Sequence, residues 1–472
     1  MHFQSIFLTF SFLQLLFETV QCETCTNVTI ASADDATQIR KKCKTIKGWL
    51  RFSEGLNETI NLDGVESING DVTHSGDVED YNDNVAGDQY PNRSVLFQVH
   101  SSTLNTVNGS IDFWTFNGLE ELRFPNLTRV EYGFTMLRMS YLKLLDITKL
   151  THLGSFNIEA THLTTLRHES FKGFTGTHYN GGSLSFSSAG VESLDSWFKY
   201  PLTVQSTIQG SDSEDAPGNA EISGYRLPNL KNITIGWVKT DKIRIEGPDS
   251  EGISVTFGAS ETETMDIGLV MLQGNVTVLG RGPVLEELVA GRLIVEYGSQ
   301  EELDLSVFDK VTDLEVRDNF ELQYIRLPPS AVDWEDVSLL MSSNSKLMLT
   351  SEYRDAENKT DRFWYWPKGD MRLIQLHYMQ VGNDFFSSFL QGRNSSNASK
   401  VLEGFSVAPK WFSEEDQPHF DCTPFDALRD QSVLPREGYR CRDYTSGSLS
   451  TASPVIWTIF VIPLLMGLIL IF

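Results

Sequence analysis

VESINGDV at residues 65–72 recurs as LNTVNGSI at residues 104–111, and this repeated unit is the strongest indication of the architecture of the chain. Both copies read apolar-x-x-apolar-Asn-Gly-polar-apolar. Regular apolar positions at a repeat length of about 20 to 30 residues predict a solenoid, in which each turn adds one short strand to a parallel sheet. Looser copies occur at residues 122–130 (LRFPNLTRV), 145–153 (LDITKLTHL), 225–233 (YRLPNLKNI) and 305–314 (LSVFDKVTDL).

Few stretches with a helical pattern interrupt these repeats, so we expect a mainly β fold and a parallel β-solenoid. One turn cannot bury its apolar side alone, and stacking of neighbouring turns creates one continuous core. A β-sandwich with accidental self-similarity is the alternative.

Glycine opens four strand-like runs, at Gly109, Gly133, Gly154 and Gly182. Side chains alternate along a strand, so the second and fourth residues after each glycine should point into the core and the third and fifth should point outward. Stacked outward residues either form a binding surface for a glycan or a protein, or are covered by a loop or by sugars. This candidate ligand face consists of Asp112, Trp114, Met136, Arg138, Asn157, Glu159 and Ser185.

The N-terminus carries a secretion signal. Residues 5–17 (SIFLTFSFLQLLF) have the length of a signal-peptide h-region. We expect cleavage after Cys22, which defines residues 1–22 as the signal peptide.

The other cysteines then form two local couples at opposite ends of the chain, in an oxidising compartment where disulfides form. Closing a short loop costs less chain entropy than joining the termini, so we expect Cys25 to pair with Cys43 and Cys422 with Cys441. Because the couples flank the repeats, each should hold a cap over one open end of the solenoid.

The C-terminal residues 455–472 are almost wholly apolar, long enough to span a bilayer, and not followed by Lys or Arg. Residues 445–453 (TSGSLSTAS) before them are small and polar. This arrangement is the signal for a glycosylphosphatidylinositol (GPI) anchor, whereas a retained single-pass helix usually carries basic residues on its cytoplasmic side. We therefore expect the tail to be removed and the anchor to be attached at Ser446, with Gly447 as the next candidate.

Glycosylation signals and charge agree with export. The formal net charge of −25 argues against nucleic acid and against anionic lipid headgroups as partners. The sequence contains ten Asn-x-Ser/Thr sequons, each an expected N-glycosylation site. They lie at Asn27, Asn57, Asn92, Asn108, Asn126, Asn232, Asn275, Asn358, Asn394 and Asn397.

Several of these motifs together resemble the fungal GPI-anchored cell-wall organisation proteins, the sporulation-specific protein 2-like group, whose ectodomain is similar to receptor L-domains. The resemblance rests on INGDV and VNGSI in the two repeats, on LRFPNLTRV, and on WYWP (364–367), NDFFSSF (383–389), FDC (420–422) and YRC (439–441). It implies a right-handed, leucine-rich-like solenoid of the L-domain type, a role in cell-wall integrity and sporulation, and no established catalytic activity. An insertion at residues 77–91 and a poor match over residues 240–302 depart from the family pattern.

The aromatic cluster at residues 363–366 (FWYW) has two possible roles. It either closes the end of the solenoid or offers a platform on which sugar rings stack.

The expected domain organisation follows from these signals. We expect a signal peptide (1–22), an N-terminal cap with a first L-domain-like solenoid (23–205), a second solenoid half (206–330), a C-terminal capping region (331–442), a spacer with the anchor site (443–454) and the removed tail (455–472).

We expect a non-enzymatic glycoprotein on the extracellular face of the fungal plasma membrane or in the cell wall. It would bind wall polysaccharide or mannoproteins through the outward face and use no cofactor or metal. A polysaccharide-remodelling glycosidase or transglycosidase is the alternative, because Asp112 and Glu159 would lie two rungs apart and such enzymes use a carboxylate pair. An adhesion or signalling receptor is a third possibility. We expect His152, His162, His168 and His178 to lie in loops and on strand surfaces.

Overall fold

The computed structural model describes residues 23–75, 95–175, 182–187, 191–204, 219–223, 227, 229–248, 252–350, 352–354, 360–393, 398–409 and 420–442. The predicted signal peptide, the acidic insertion and the anchor positions Ser446 and Gly447 lie outside these residues. So do the sequons at Asn92, Asn358, Asn394 and Asn397.

Short strands follow one another through the N-terminal part of the chain. In chain order they are β1 Glu23–Ile30, β2 Cys43–Phe52, β3 Ile60–Asn61, β4 Ser67–Asn69, β5 Val72–Ser75, β6 Phe97–His100, β7 Thr106–Val107, β8 Ile111–Trp114, β9 Leu119–Arg123, β10 Arg129–Leu137, β11 Leu144–Asp146, β12 His152–Glu159, β13 Thr165–Arg167, β14 Gly173–Phe174, β15 Ser183–Ser187, β16 Thr203–Val204 and β17 Asn219–Ser223.

The C-terminal part continues in the same way, with several longer strands. These are β18 Asn232–Ile235, β19 Lys239–Gly247, β20 Ile253–Phe257, β21 Thr264–Gly274, β22 Val276–Arg281, β23 Glu287–Glu296, β24 Glu302–Asp304, β25 Lys310–Arg317, β26 Tyr324–Arg326, β27 Val337–Ser342, β28 Met348–Leu349, β29 Glu352–Arg354, β30 Thr360–Arg362, β31 Met371–His377, β32 Gln380–Val381, β33 Val401–Ala408 and β34 Tyr439–Cys441.

Helices are few among the described residues. Two 3-10 helices, Pro329–Asp333 and Asn383–Phe386, accompany four α-helices. The α-helices are α1 Ala33–Lys42, α2 Asp195–Phe198, α3 Ser387–Gly392 and α4 Thr423–Asp430.

One long parallel sheet, the main sheet, runs through the whole molecule from β1 to β34. Smaller parallel sheets, β3-β6-β9-β11-β13, β18-β20-β22, β24-β26 and β28-β32, form a second side of the coil. The hairpin of β29 and β30 is antiparallel. Each turn therefore places a strand in register beside the corresponding strand of the next turn, which confirms the predicted parallel β-solenoid. The main sheet continues through β27, β31, β33 and β34, so the segment expected to cap the solenoid also contributes strands to it.

The Asn-Gly step of the repeat has a steric reason. A Cβ atom on Gly70 would lie 2.1 Å from the carbonyl oxygen of Gly48, and one on Gly109 would lie 2.4 Å from the carbonyl carbon of Gly70. The backbones of consecutive turns touch at this point, and only glycine permits such an approach. The motif that identified the repeat therefore marks the closest contact between turns.

Aromatic side chains fill the middle of the core. Phe156 is fully buried, and its ring centroid lies 5.6 Å from that of Phe134, 5.4 Å from that of Phe186 and 4.6 Å from that of Trp197. Because Phe134, Phe156 and Phe186 come from successive turns, they form a stack along the solenoid axis. Burial of such rings is a large part of the favourable free energy of folding.

Disulfides secure both ends, as the sequence predicts. Cys25 and Cys43 join β1 to β2 with a Cα–Cα distance of 5.6 Å, and Cys422 and Cys441 join the start of α4 to β34 with a distance of 5.8 Å. Helix α1 packs against β1 and β3 at the N-terminal end. Its N-cap is Ser32, whose hydroxyl accepts a hydrogen bond from the Asp35 N–H at 3.2 Å.

The aromatic cluster closes the C-terminal end of the core. Trp364 is 1% exposed and Trp366 is 4% exposed, and both rings pack against Phe385 at 5.0 Å. The indole N–H of Trp366 donates a hydrogen bond to the Phe385 carbonyl at 2.9 Å. The rings of Trp364 and Trp366 have no free face for a sugar, so the structure supports the closing role for these two residues.

Candidate functional site

Outward side chains of successive main-sheet strands align into one straight row in the N-terminal half. Cα pairing joins Thr73 to Asp112, Asp112 to Thr135, Thr135 to Asn157, and Asn157 to Ser185. All five residues are partly exposed. We call Thr73, Asp112, Thr135, Asn157 and Ser185 the polar row. The outward positions predicted for Asp112, Asn157 and Ser185 are confirmed.

Two predicted residues lie one step further along their strands. Trp114 is 48% exposed at the end of β8, two residues after Asp112. Glu159 is partly exposed at the end of β12, two residues after Asn157. Both lie on the outward face as predicted, and Trp114 is the only tryptophan among the described residues with a strongly exposed ring.

The predicted outward position of Met136 is wrong. Met136 is fully buried and pairs with Phe113 on one side and Ile158 on the other, whereas Thr135 takes the outward position. Gly133 is not the counterpart of Gly109, because the Tyr132 N–H is the group that donates to the Gly109 carbonyl, at 3.2 Å. Counting from Gly133 therefore shifts the frame by one residue, which exchanges the two faces of the strand.

Arg138 lies at a corner of the coil and not on the sheet face. It follows the last residue of β10 and has a φ of 57°. The same left-handed conformation recurs where other turns leave the main sheet, at Thr115, Tyr297, Asp318, Ser343 and Tyr378, with φ between 48° and 58°.

Two of these corner residues are large aromatics, and sequence reasoning missed both. The Tyr297 side chain is 54% exposed and that of Tyr378 is 44% exposed. Phe320, two residues beyond the corner residue Asp318, is 57% exposed. We call Tyr297, Phe320 and Tyr378 the aromatic rim. A bulky residue in the left-handed region costs about 1 to 2 kcal/mol, and an exposed ring returns little of that by packing.

Buried asparagines hold this corner in place. Asn319 and Asn344 are fully buried. The Asn319 side chain donates to the carbonyls of Val295 at 3.0 Å and Arg317 at 2.8 Å and accepts from the Gly298 N–H at 2.7 Å. The Asn344 side chain accepts the Asn319 N–H at 3.0 Å. The backbone beside Tyr297 is therefore fixed by hydrogen bonds, so its strained conformation persists.

A weak sequence signal for this corner exists. RDNFEL at residues 317–322 and SSNSKL at residues 342–347 share Asn-x-x-Leu after a polar residue, at the spacing of one turn. This second pattern differs from the Asn-Gly unit of the first half, so a search for further copies of that unit does not find it.

Charged residues on the C-terminal half of the outward face neutralise one another. Arg292 pairs with Glu315 at 2.6 Å, and Arg317 pairs with Glu296 at 2.5 Å and with Glu315 at 3.2 Å. Asp313 likewise forms an ion pair, with Arg372. These contacts organise the face and leave little net charge on it.

His168 lies in a loop directly after β13, as expected, but it is only partly exposed. Its ring stacks on that of Trp197 with a centroid distance of 3.9 Å. Its Nδ1 lies 2.8 Å from the Ser196 hydroxyl and its Nε2 lies 2.8 Å from the Leu150 carbonyl. Burial lowers the pKa of His168 to about 4. The imidazole therefore packs against the core from its loop, and His178 lies outside the described residues.

The described part of the chain contains no group of three His, Cys, Asp or Glu side chains arranged to hold a metal ion. Within the same residues, none of the helices combines the length and the apolar character needed to cross a bilayer. Comparison with protein-family models, with curated proteins and with solved structures gives no match to this chain.

Proposed function

We propose that this protein is a non-enzymatic, GPI-anchored surface glycoprotein that binds an uncharged cell-wall polysaccharide along its main sheet. The single observation that carries the proposal is the polar row with the exposed Trp114 beside it. The disulfides at both ends indicate a secreted or extracellular protein. The resemblance to fungal cell-wall organisation proteins supports the anchor, the wall as the location and a role in wall or spore-wall organisation.

The chemistry of the polar row fits sugar hydroxyls. Thr135, Asn157 and Ser185 carry hydroxyl and amide groups, which both donate and accept hydrogen bonds. Parallel strands place these groups about 4.8 Å apart along a straight line. A rigid, regular array suits an extended polymer, because little protein entropy is lost on binding.

The aromatic rim extends the proposed contact to the C-terminal half. Trp114 and the rim residue Tyr297 both lie where a main-sheet strand meets its corner. Exposed rings offer apolar faces to the C–H faces of sugars, in the way that aromatic rings stack on one another. The arginines of the C-terminal half, Arg292, Arg317 and Arg372, form ion pairs with acidic neighbours. These compensated charges favour an uncharged ligand over an ionic one.

Replacing Trp114 by alanine should weaken binding of β-glucan or chitin oligosaccharides about tenfold, the equivalent of one lost stacking contact of about 1.4 kcal/mol. Titration calorimetry on the purified full chain measures the effect. Leu279→Ala is the control, because Leu279 is 62% exposed on β22, outside the main sheet. Equal affinities of the Trp114 variant and the unmodified protein would remove Trp114 from the site.

The same mixtures test the enzymatic alternative. We expect no cleaved or transferred oligosaccharide after long incubation. Turnover that disappears in Glu159→Gln would establish a carbohydrate enzyme and overturn the proposed function.

Replacing Tyr297 by asparagine should stabilise the fold by about 0.5 to 1 kcal/mol, because asparagine adopts the left-handed conformation at lower cost. The same change should weaken polysaccharide binding. Urea unfolding and calorimetry measure the two effects. Phe320→Asn is the matched control, since Phe320 is equally exposed but has no positive φ. It should lose binding without gaining stability. A destabilised Tyr297 variant would show that the ring serves packing.

A further inference from the structure

The N-terminal end of the main sheet is a long open edge. Within the described residues, β1 pairs only with β2 on one side, and it is eight residues long. At the other end, β34 has only three residues. A long strand with an unpaired edge is a template for another strand, and proteins block such edges with bulges, charges or coverings.

The pairing of this edge strand is irregular at Asn27, where a β-bulge places one residue of β1 opposite two residues of β2, Gly48 and Trp49. The register between β1 and β2 shifts between Thr26 and Val28, and Asn27 has a φ of 51°. The Asn27 side chain lies over Gly48, where a Cβ atom would approach the Asn27 Oδ1 to 2.0 Å. The same oxygen accepts the Trp49 N–H at 3.4 Å. The bulge therefore fixes the amide group of an exposed asparagine on the edge strand.

The orientation of this amide suits modification. Asn27 begins the sequon Asn27-Val28-Thr29, and its Oδ1 makes the hydrogen bond to the protein. In contrast, the Nδ2 of Asn126, the atom that would carry a sugar, donates to the Ser102 carbonyl at 2.6 Å. The Nδ2 of Asn108 donates to the Asn69 side chain at 2.8 Å. Among these three sequons, the structure presents Asn27 best.

We propose that an N-linked glycan on Asn27 covers the open edge of β1 and keeps two copies of this chain from pairing edge to edge. Without the glycan, two β1 strands meet across a two-fold axis and extend the main sheet from one molecule into the next. The inference depends on the export that the proposed function includes.

The test uses the full chain, produced in a eukaryotic secretory host and purified in mild detergent. Thr29→Ala removes the sequon and leaves Asn27 and its bulge in place, whereas Thr29→Ser is the matched control that keeps the sequon. Sedimentation velocity should show a monomer for the glycosylated wild-type protein and for Thr29→Ser. Thr29→Ala should dimerise at least about tenfold more tightly, because new backbone hydrogen bonds join the two edges.

Two further samples guard against misfolding of the variant. Enzymatic removal of the glycans from the folded wild-type protein should produce the same dimer. Asn232→Gln, which removes a sequon at the start of β18 in a different sheet, should stay monomeric. A monomeric Thr29→Ala or a monomeric deglycosylated protein would overturn the proposal.

Mass spectrometry of the sequon peptides separates this inference from the proposed function. Sugar at other sequons with a bare Asn27 would refute only the edge-covering role. Absence of sugar at every sequon would refute export as well.

Discussion

Replacement of Met136 by lysine should abolish the fold, with a loss of at least about 5 kcal/mol in the free energy of unfolding. Met136 is fully buried between Phe113 and Ile158. The variant would lose about 1.5 to 3 kcal/mol of apolar burial and would place an unpaired charge in the core, which costs several kcal/mol more. Secretion yield and urea unfolding of the purified chain measure the result.

The adjacent position provides the control for this prediction. Thr135 lies on the outward face opposite Asp112, so Thr135→Lys should change stability by less than about 1 kcal/mol. Met136→Leu should also fold, because it keeps the volume and the apolar character. A stable Met136→Lys protein would mean that the strand presents its other face to the core.

Acidification should destabilise the protein by about 3 kcal/mol between pH 7 and pH 4 through His168 alone. Burial lowers the pKa of His168 from its ordinary value of 6.5 to about 4 in the folded state. As the pH falls through this range, the imidazole of the unfolded chain binds a proton first. This protonation stabilises the unfolded state relative to the folded state. The stability that the neutral imidazole contributes is complete above pH 6.5 and is lost progressively towards pH 4.

The pH effect is measured by urea unfolding at a series of pH values, for the unmodified protein and for His168→Gln. The difference between their stabilities should shrink as the pH falls, since glutamine does not titrate. His162→Gln is the control, because His162 lies at the surface beside Thr161. Burial also lowers the pKa of His152 and His377, so both proteins retain a smaller pH dependence. Parallel profiles for the His168 variant and the unmodified protein would contradict the assigned burial.

Much of the fold was predictable because the repeat has a local physical cause. The glycines of the Asn-Gly step lie at backbone contacts between turns, so their positions report the stacking directly. The cysteine couples close short loops, and loop entropy favours the observed pairing. The faces of β8, β12 and β15 also followed from alternation after a glycine at the equivalent position.

The parallel coil, its disulfide-secured ends and most of the polar row were predictable without coordinates, because these features depend on spacing along the chain. Contacts between turns determine instead that Met136 points inward, that the His168 ring packs on Trp197 and that Tyr297 and Tyr378 stand exposed at a left-handed corner. The physical reason is common to all of them. Hydrogen bonds and packing between turns, such as those from Tyr132 to Gly109 and from Asn344 to Asn319, set which residue of one turn lies opposite which residue of the next.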